Sequence, residues 1–264
     1  STFPARCHDV GIAEEHAVTM ASGLALAGKK PVISIYSTFL QRAFDQVSHD
    51  VARQNLEVTF LIDRAGLVGS DGETHQGLYD ESFLIGTPNM SVSMASDAEE
   101  AAALLKTAVS GHGPFAIRYP RDFIQKVQNV APCALPYGKW KIEKTSQTRH
   151  LALITFGPML DKIVTAINDS NLDVQVVNAV YQKPLDKEML QSMLDFDTLV
   201  IHDAYATAFG FVNSTVAFLI SLGYKGKIVT MAIADEFIKQ ATIQEQMDDM
   251  HVNVLDVLTT LKSL

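Results

Sequence analysis

Short apolar runs alternate with helical periodicity along the chain. "KPVISIYS" reads as a strand and leads into a helical stretch from about Thr38 to Gln54. "EVTFLID" is the next strand, "DRAGLVGSDGETHQG" a glycine-rich loop, and "MSVSMAS" and "FAIRYP" two further strands with the helix "DAEEAAALLKTAV" between them. Asp97 stands where a side-chain oxygen caps that helix. Nearer the start, "DVGIAEEHAV" has an apolar strand running into a helix. The periodicity breaks between about Arg121 and Arg149, where Pro132, Pro136, Gly138 and polar residues around Thr145 predict a linker with one short strand. A second series follows: "HLALITFG", "DVQVVNAV", "DTLVIHD" and "KIVTMAI", separated by helical segments. The alternation predicts two α/β domains, each a mainly parallel sheet flanked by helices. Their expected bounds are 1–125 and 148–264, with a linker over 126–147.

Charge and composition narrow the partners. A net charge of −9 over 264 residues argues against nucleic acid and against a basic membrane-binding patch. It leaves room for local arginines that bind a small phosphorylated substrate. No apolar run approaches the roughly 20 residues needed to span a bilayer, and no basic-then-apolar signal segment opens the chain. The two cysteines, Cys7 and Cys133, form no metal-ligand pattern and no disulfide framework, which fits a reducing cytoplasm. The abrupt start "STFPARCHDV" reads like the middle of a protein.

Four segments of the first series collect polar groups near strand ends or turns: "IAEEH", "IYSTFLQR", "DRAGLVGSDGETHQG" and "RYPR". Ligands of parallel sheets gather outside the carboxyl ends of the strands, so this distribution favours a site there. Glu14 and Glu15 are successive and point about 100° apart on a helix, so at most one faces a pocket squarely. "GSDGETHQG" lacks the ligand spacing of a calcium hand.

Taken together, "DVGIAEEHAVTMASGLALAGKKPVISIYSTFLQRAFDQVSHDVARQN", "IDRAGLVGSDGETHQG" and "IRYPRD" closely resemble the 1-deoxy-D-xylulose-5-phosphate synthase family, part of the transketolase-like, thiamine-diphosphate-dependent group. The resemblance covers nearly all of residues 4–123; the second half is similar only in length and strand pattern. It implies a transketolase-like pyrimidine-binding domain followed by a transketolase C-terminal-like domain. The complete enzyme would decarboxylate pyruvate on thiamine diphosphate and join the two-carbon unit to glyceraldehyde 3-phosphate, releasing CO₂. Carried over residue by residue, the acid after "GIA" is Glu14, a catalytic and cofactor-binding carboxyl that bonds the pyrimidine ring and favours its imino tautomer. Phe39 packs on that ring, and Arg42 holds a carboxylate or braces the cofactor site. Tyr36 presents its hydroxyl to the bound substrate carbons. Arg64 and Arg121 grip the acceptor phosphate through directed, charge-assisted donors. Asp71 and His75 lie near the acceptor sugar, with His75 also catalytic, donating to a developing alkoxide or shuttling a proton. Arg118 is the lesser phosphate candidate, since on a strand it alternates faces with Tyr119. Glu15 replaces the family's usual Gln and reads as a surface charge, and His49 as a structural hydrogen-bonder or a contact with a partner chain.

The family binds the cofactor diphosphate and Mg²⁺ through an upstream domain marked by Gly-Asp-Gly. This chain has no Gly-Asp-Gly. The resemblance therefore implies half an active site with no metal ligands of its own, a missing N-terminal diphosphate-binding domain or subunit, a homodimer, and an isolated chain without turnover. A natural split subunit, a proteolytic remnant and an experimental truncation all fit. The second domain keeps Asp203 and Gly210 but lacks the tandem glycines, and reads as interface and scaffold. Rival readings are a subunit of another transketolase or of a 2-oxoacid dehydrogenase beta-type enzyme, and a non-catalytic assembly subunit.

Overall fold

The structure, a computed structural model, describes residues 2–121 and 132–264. The ten strands are β1 (Val32–Tyr36), β2 (Thr59–Asp63), β3 (Ser91–Met94), β4 (Phe115–Tyr119), β5 (Lys141–Lys144), β6 (Leu151–Thr155), β7 (Gln175–Asn178), β8 (Tyr181–Lys183), β9 (Thr198–Thr207) and β10 (Lys227–Ile233). They form two five-stranded sheets, ordered β1-β2-β4-β3-β8 and β10-β9-β6-β7-β5. Four strands of each sheet run parallel, and β8 and β5 each add an antiparallel edge. Every strand expected from the apolar runs "KPVISIYS", "EVTFLID", "MSVSMAS" and "FAIRYP" is present, as are the four of the second series and the short strand, β5, between them.

Two expectations change, and one strand was not expected. Among the described residues no strand precedes the helix Glu14–Leu26. Gly11 takes a left-handed φ of +68° and donates to Asp9 Oδ1 at 2.8 Å, a local turn that competes with an extended run. The stretch expected as a helix over 38–54 is helical but irregular: it passes through short α and 3₁₀ turns and closes on a π-helical turn, Val47–Ala52. Strand β8 was not legible because three residues show no periodicity. Its last residue precedes Pro184, and pre-proline geometry favours extended backbone.

The sheet register explains where chemistry gathers. Tyr36, Asp63 and Tyr119 lie in one row across β1, β2 and β4, at the carboxyl ends of all three strands. The residues that follow each strand therefore converge on one edge. Helix Ala98–Ala108 returns the chain from β3 to β4 and starts as expected, with Asp97 Oδ1 accepting from the Glu100 amide at 2.7 Å.

The two sheets share a core. One buried cluster joins Leu67, Met94, Phe115 and Ile117 of the first half to Phe156, Tyr205 and Phe211 of the second, while a smaller cluster under β1 and β2 contains Val18, Leu40 and Phe60. Strand β8 carries this union into the backbone, since it lies beyond β7 in sequence yet pairs with β3. Trp140, just before β5, is buried as well, its indole N–H donating to the Tyr181 carbonyl at 2.8 Å.

His202 lies fully buried in β9, its ring nitrogens bonded to Thr155 Oγ1 at 2.8 Å and to the Val252 carbonyl at 2.9 Å. Burial pushes its pKa down to about 4, so it is neutral at physiological pH. Because the folded value lies below the unfolded one, the stability that depends on neutral His202 is present in full above about pH 6.5 and is lost as pH falls toward 4. Equilibrium urea unfolding at about pH 7 and about pH 4 should show wild type losing more stability than His202→Gln, by on the order of 3 kcal/mol. Equal losses in the two proteins would show that His202 does not titrate with folding.

Candidate active site

The eight residues singled out in the sequence form one unbroken chain of contacts along the carboxyl edge of the first sheet. Glu14, in the first turn of its helix, pairs with Arg42, whose Nη1 lies 3.3 Å from both carboxylate oxygens. The Arg42 guanidinium sits 4.8 Å from the centroid of the Phe39 ring. Phe39 stacks on Tyr36 at 5.8 Å and meets His75 edge-on at 5.4 Å. Arg64 covers the other part of this aromatic group, its guanidinium 3.8 Å from the Tyr36 centroid. Arg64 Nε lies 3.5 Å from Asp71, and Asp71 in turn takes two hydrogen bonds from Arg121 Nη1, at 2.7 and 2.9 Å.

Local backbone explains this convergence. Phe39 and Arg42 follow β1 within two helical turns. Arg64 follows β2 directly and holds a left-handed φ of +58°, which costs a non-glycine residue about 1–2 kcal/mol. Two features secure it there: Asp63 accepts from its backbone and side chain, and the loop closes on itself through reciprocal Gly66–Gly77 amide-to-carbonyl bonds of 2.7 and 2.8 Å. That closure brings Asp71 and His75 back over the sheet edge. Asp63 was not anticipated as a partner, although a carboxylate immediately before Arg at a strand end is a readable signal.

The second half holds this loop from outside. Gln246 accepts from the Gly69 amide at 2.9 Å, Gln240 donates to the Ser70 carbonyl at 3.1 Å, and Gln76 donates to the Ile238 carbonyl at 3.4 Å. None of these glutamines was legible, because each contact joins segments more than 150 residues apart.

Glu14 keeps 11% of its side chain exposed, and Glu15 is exposed. The helix thus turns one acid inward and the other to solvent. Arg121 is the member most open to solvent, and its hydrogen bonds hold the Asp71 carboxyl below the usual carboxylate range. His49 lies apart from the site and bonds Asp45 on an exposed face, Nδ1 to Oδ1, at 2.7 Å. Arg118 is fully buried, away from the open edge. Cys7 and Cys133 are both exposed.

Glu14, Tyr36, Phe39 and Arg42 line a cleft of about 1240 Å³ that also runs along the exposed face of β1. A nearly sheltered carboxylate beside an aromatic face suits a flat, nitrogen-containing ring that needs one acidic hydrogen-bond partner. Among the described residues, no group of three or more His, Cys, Asp or Glu side chains is placed to hold a metal ion, and no helix is long and apolar enough to cross a membrane.

Comparison with known proteins supplies the lineage. Residues 1–126 match the family model described as transketolase, pyrimidine binding domain, and residues 138–257 match transketolase, C-terminal domain. A 1-deoxy-D-xylulose-5-phosphate synthase of Clostridium perfringens (strain SM101 / Type A) is 45% identical over 244 residues, which is 90% of this chain and 39% of that protein. The protein of the same name from Lysinibacillus sphaericus (strain C3-41) is 42% identical over 99% of this chain and 42% of its own length. The chain therefore spans about two-fifths of the length of these curated relatives. Among solved structures, a chain described as split gene transketolase, inactive beta4 tetramer, superposes with a TM-score of 0.85 at 24% identity, covering 99% of this chain and 84% of that one. That likeness is one of fold.

The loop closure generates a direct test. A Cβ at Gly77 would lie 1.9 Å from the Arg64 carbonyl oxygen and 2.9 Å from Ser37 Oγ, so the loop cannot close around a side chain. Gly77→Ala should cost at least about 1–3 kcal/mol in urea unfolding. Gly23→Ala, in a helix with nothing within 4 Å of the new atom, should be neutral or stabilising by about 0.5–1 kcal/mol. Equal effects at the two positions would show that the closure is not tight.

Proposed function

Because the chain belongs to the transketolase family, we propose that it supplies the pyrimidine-binding and C-terminal domains of a cytoplasmic 1-deoxy-D-xylulose-5-phosphate synthase. On this reading residues 1–125 and 148–264 are the two domains, 126–147 the linker, and a separate diphosphate-binding half completes the site. The assembled enzyme would be a homodimer of complete units, and would condense pyruvate with glyceraldehyde 3-phosphate with loss of CO₂. The observation that carries the reading is the continuous contact chain from Glu14 through Arg42, Phe39, Tyr36, Arg64 and Asp71 to Arg121, with His75 against Phe39. It joins a ring-binding end to a phosphate-binding end on one sheet edge. The identity to named synthases over nearly the whole chain supports it.

Thiamine diphosphate, when bound, supplies an electron sink for carbons next to a carbonyl. This chain would bind its pyrimidine half. Glu14 holds a proton at a ring nitrogen, and Arg42 keeps the carboxyl aimed while it covers Phe39. Phe39 and Tyr36 exclude water from one face of the site. Thr74 Oγ1 lies 2.9 Å from His75 Nδ1 and fixes the imidazole, so Nε2 is the nitrogen offered to a reacting oxygen. Arg64 and Arg121 take the acceptor phosphate at the far end. Mg²⁺ and the diphosphate would be held by the diphosphate-binding half.

Two substitution series test this in enzyme assembled with a diphosphate-binding half. Glu14→Ala should abolish most turnover, while Glu15→Gln should be mild because the side chain faces solvent. Comparable losses would refute the assignment of Glu14. Separately, Arg64→Ala and Arg121→Ala should each lower catalytic efficiency with glyceraldehyde 3-phosphate by about one to two decades, the worth of a charge-assisted bond. An unphosphorylated aldehyde should be nearly indifferent. If both aldehydes lose the same factor, the arginines do not serve the phosphate.

A further inference from the structure

Behind the open site lies a set of charges that the reading above does not use. Arg118 in β4 has no exposed side-chain surface, and neither do Asp80 and Glu81. Its Nε and Nη2 donate to the two Asp80 oxygens at 2.8 and 3.0 Å, and Nη1 donates to Glu81 Oε2 at 2.9 Å. Nη2 also reaches the carbonyls of Gly77, at 3.3 Å, and Tyr205, at 3.0 Å. These partners tie together different parts of the fold. Asp80 Oδ1 also accepts from Ser37 Oγ at 2.7 Å, at the start of the segment carrying Phe39. Gly77 closes the loop carrying Arg64, Asp71 and His75. Tyr205 lies in β9, and Glu81 Oε1 accepts from the Phe211 amide at 2.8 Å, both in the second half.

We propose that Arg118 is a positioning residue for the site: through Asp80 and Gly77 it fixes the two segments that carry the site residues, and through Glu81 and Asp203 it makes their placement depend on the second half of the chain. The inference deepens the preceding reading, since the segments it fixes are those assigned there to cofactor and acceptor.

The geometry includes Asp203 for two reasons. It is 1% exposed, and its Oδ1 accepts from the Tyr205 amide at 2.8 Å while its Oδ2 has no donor. The titratable groups of the cluster are Asp80 and Glu81 on one helix, Arg118 on β4 and Asp203 on β9. One cation faces three carboxyls, and a buried excess negative charge is costly. Burial and the neighbouring Glu81 raise the Asp203 pKa well above the usual carboxylate range, and burial raises that of Glu81. A proton on Asp203 resolves both the charge and the unpaired oxygen, because it turns Asp203 into a donor toward Glu81. Gly210 makes room for the Glu81 carboxylate: a Cβ there would lie 2.4 Å from Glu81 Oε1. The glycine kept at that position is thus explained by packing against a first-half carboxylate.

The test uses the 264-residue chain and needs no substrate. Amide hydrogen exchange is followed at Gly66 and Gly77, which close the loop, and in β6 and β7 as a reference. Asp203→Ala and Arg118→Lys should speed exchange at Gly66 and Gly77 by about tenfold to a hundredfold, the effect of leaving a buried partner unpaired, with little change in β6 and β7. Asp203→Asn should leave those amides at wild-type rates, because the amide side chain reproduces a neutral donor. It should also change the pH dependence of stability. A carboxyl whose folded pKa is raised stabilises the fold at low pH and loses that contribution as pH rises through the folded value. Wild type should therefore lose stability relative to Asp203→Asn as pH rises above the ordinary carboxylate range toward the raised folded value. A difference that is flat with pH, or an Asn variant as damaged as the Ala variant, would overturn the role of Asp203. Equal acceleration in loop and reference strands, or none in the loop, would overturn positioning. If Ala or Lys variants do not fold, the Asn comparison still decides whether Asp203 is a neutral donor. In the assembled enzyme, Arg118→Lys should raise KM for glyceraldehyde 3-phosphate more than it lowers kcat. If the exchange result holds and this split fails, the reaction assignment is at fault and the positioning stands.

Discussion

A guanidinium sealed from solvent must have its charge balanced and its fork of donors filled, or the fold around it is not stable. Arg118 meets that condition with Asp80, Glu81 and two backbone carbonyls drawn from both halves of the chain. Much of the architecture can be read as a consequence. The helix Asp80–Gly86 must present two successive carboxylates inward, so its first turn packs under the second half. β9 must run long enough to bring Tyr205 over β4. The loop after β2 must return to the sheet at Gly77, which places Arg64 and His75 at the open edge. The shared apolar core and the pairing of β8 with β3 hold the halves close enough for these bonds to form.

This division explains what was legible in the sequence. The central strands were readable because parallel strands buried on both faces appear as continuous apolar runs, and β6 is buried at all five positions; the outer strands β1 and β10 are largely unburied yet keep apolar sequences. The helix over 98–108 was readable because its cap and period agree. The candidate site was readable because residues following adjacent parallel strands must converge on the carboxyl edge. Phe39, Arg64 and Arg121 meet this rule however the loops run between them, and Glu14 reaches the same edge from the first turn of a helix. What could not be read depends on long-range pairing. Arg118 read as a strand residue out of phase with Tyr119, and the structure buries it; nothing local showed that its partners would be Asp80, Glu81 and the Tyr205 carbonyl. The same holds for Gln246 and Gln76. The π-helical turn at 47–52 lay within a run whose apolar spacing was close enough to an α-helix to hide it.

The site shows a second charge balance, and it differs in kind from the buried one. Arg64 and Arg121 both reach Asp71, so a carboxylate already stands between the two guanidinium groups. Two cations held on one edge repel each other, and Asp71 offsets that repulsion while keeping both side chains in place. Its own carboxyl is held low by Arg121, so it stays ionised across the neutral range. On the proposed reading, an arriving phosphate finds the arginines gathered but already partnered. Binding is then an exchange of anions at a half-open edge, and its net gain is the difference between a phosphate and a carboxylate in the same place, not the full worth of two salt bridges. Such an exchange favours a ligand with more acceptor oxygens and more charge than Asp71, which a phosphate has and a neutral aldehyde does not. It also requires that the arginines stay where they are while Asp71 yields. Arg64 meets that requirement through Asp63 and Tyr36, which hold it independently of Asp71, and through a loop closed at Gly77. Selectivity at the open edge thus draws on rigidity behind it, where the buried cation fixes the backbone that the exposed ones stand on.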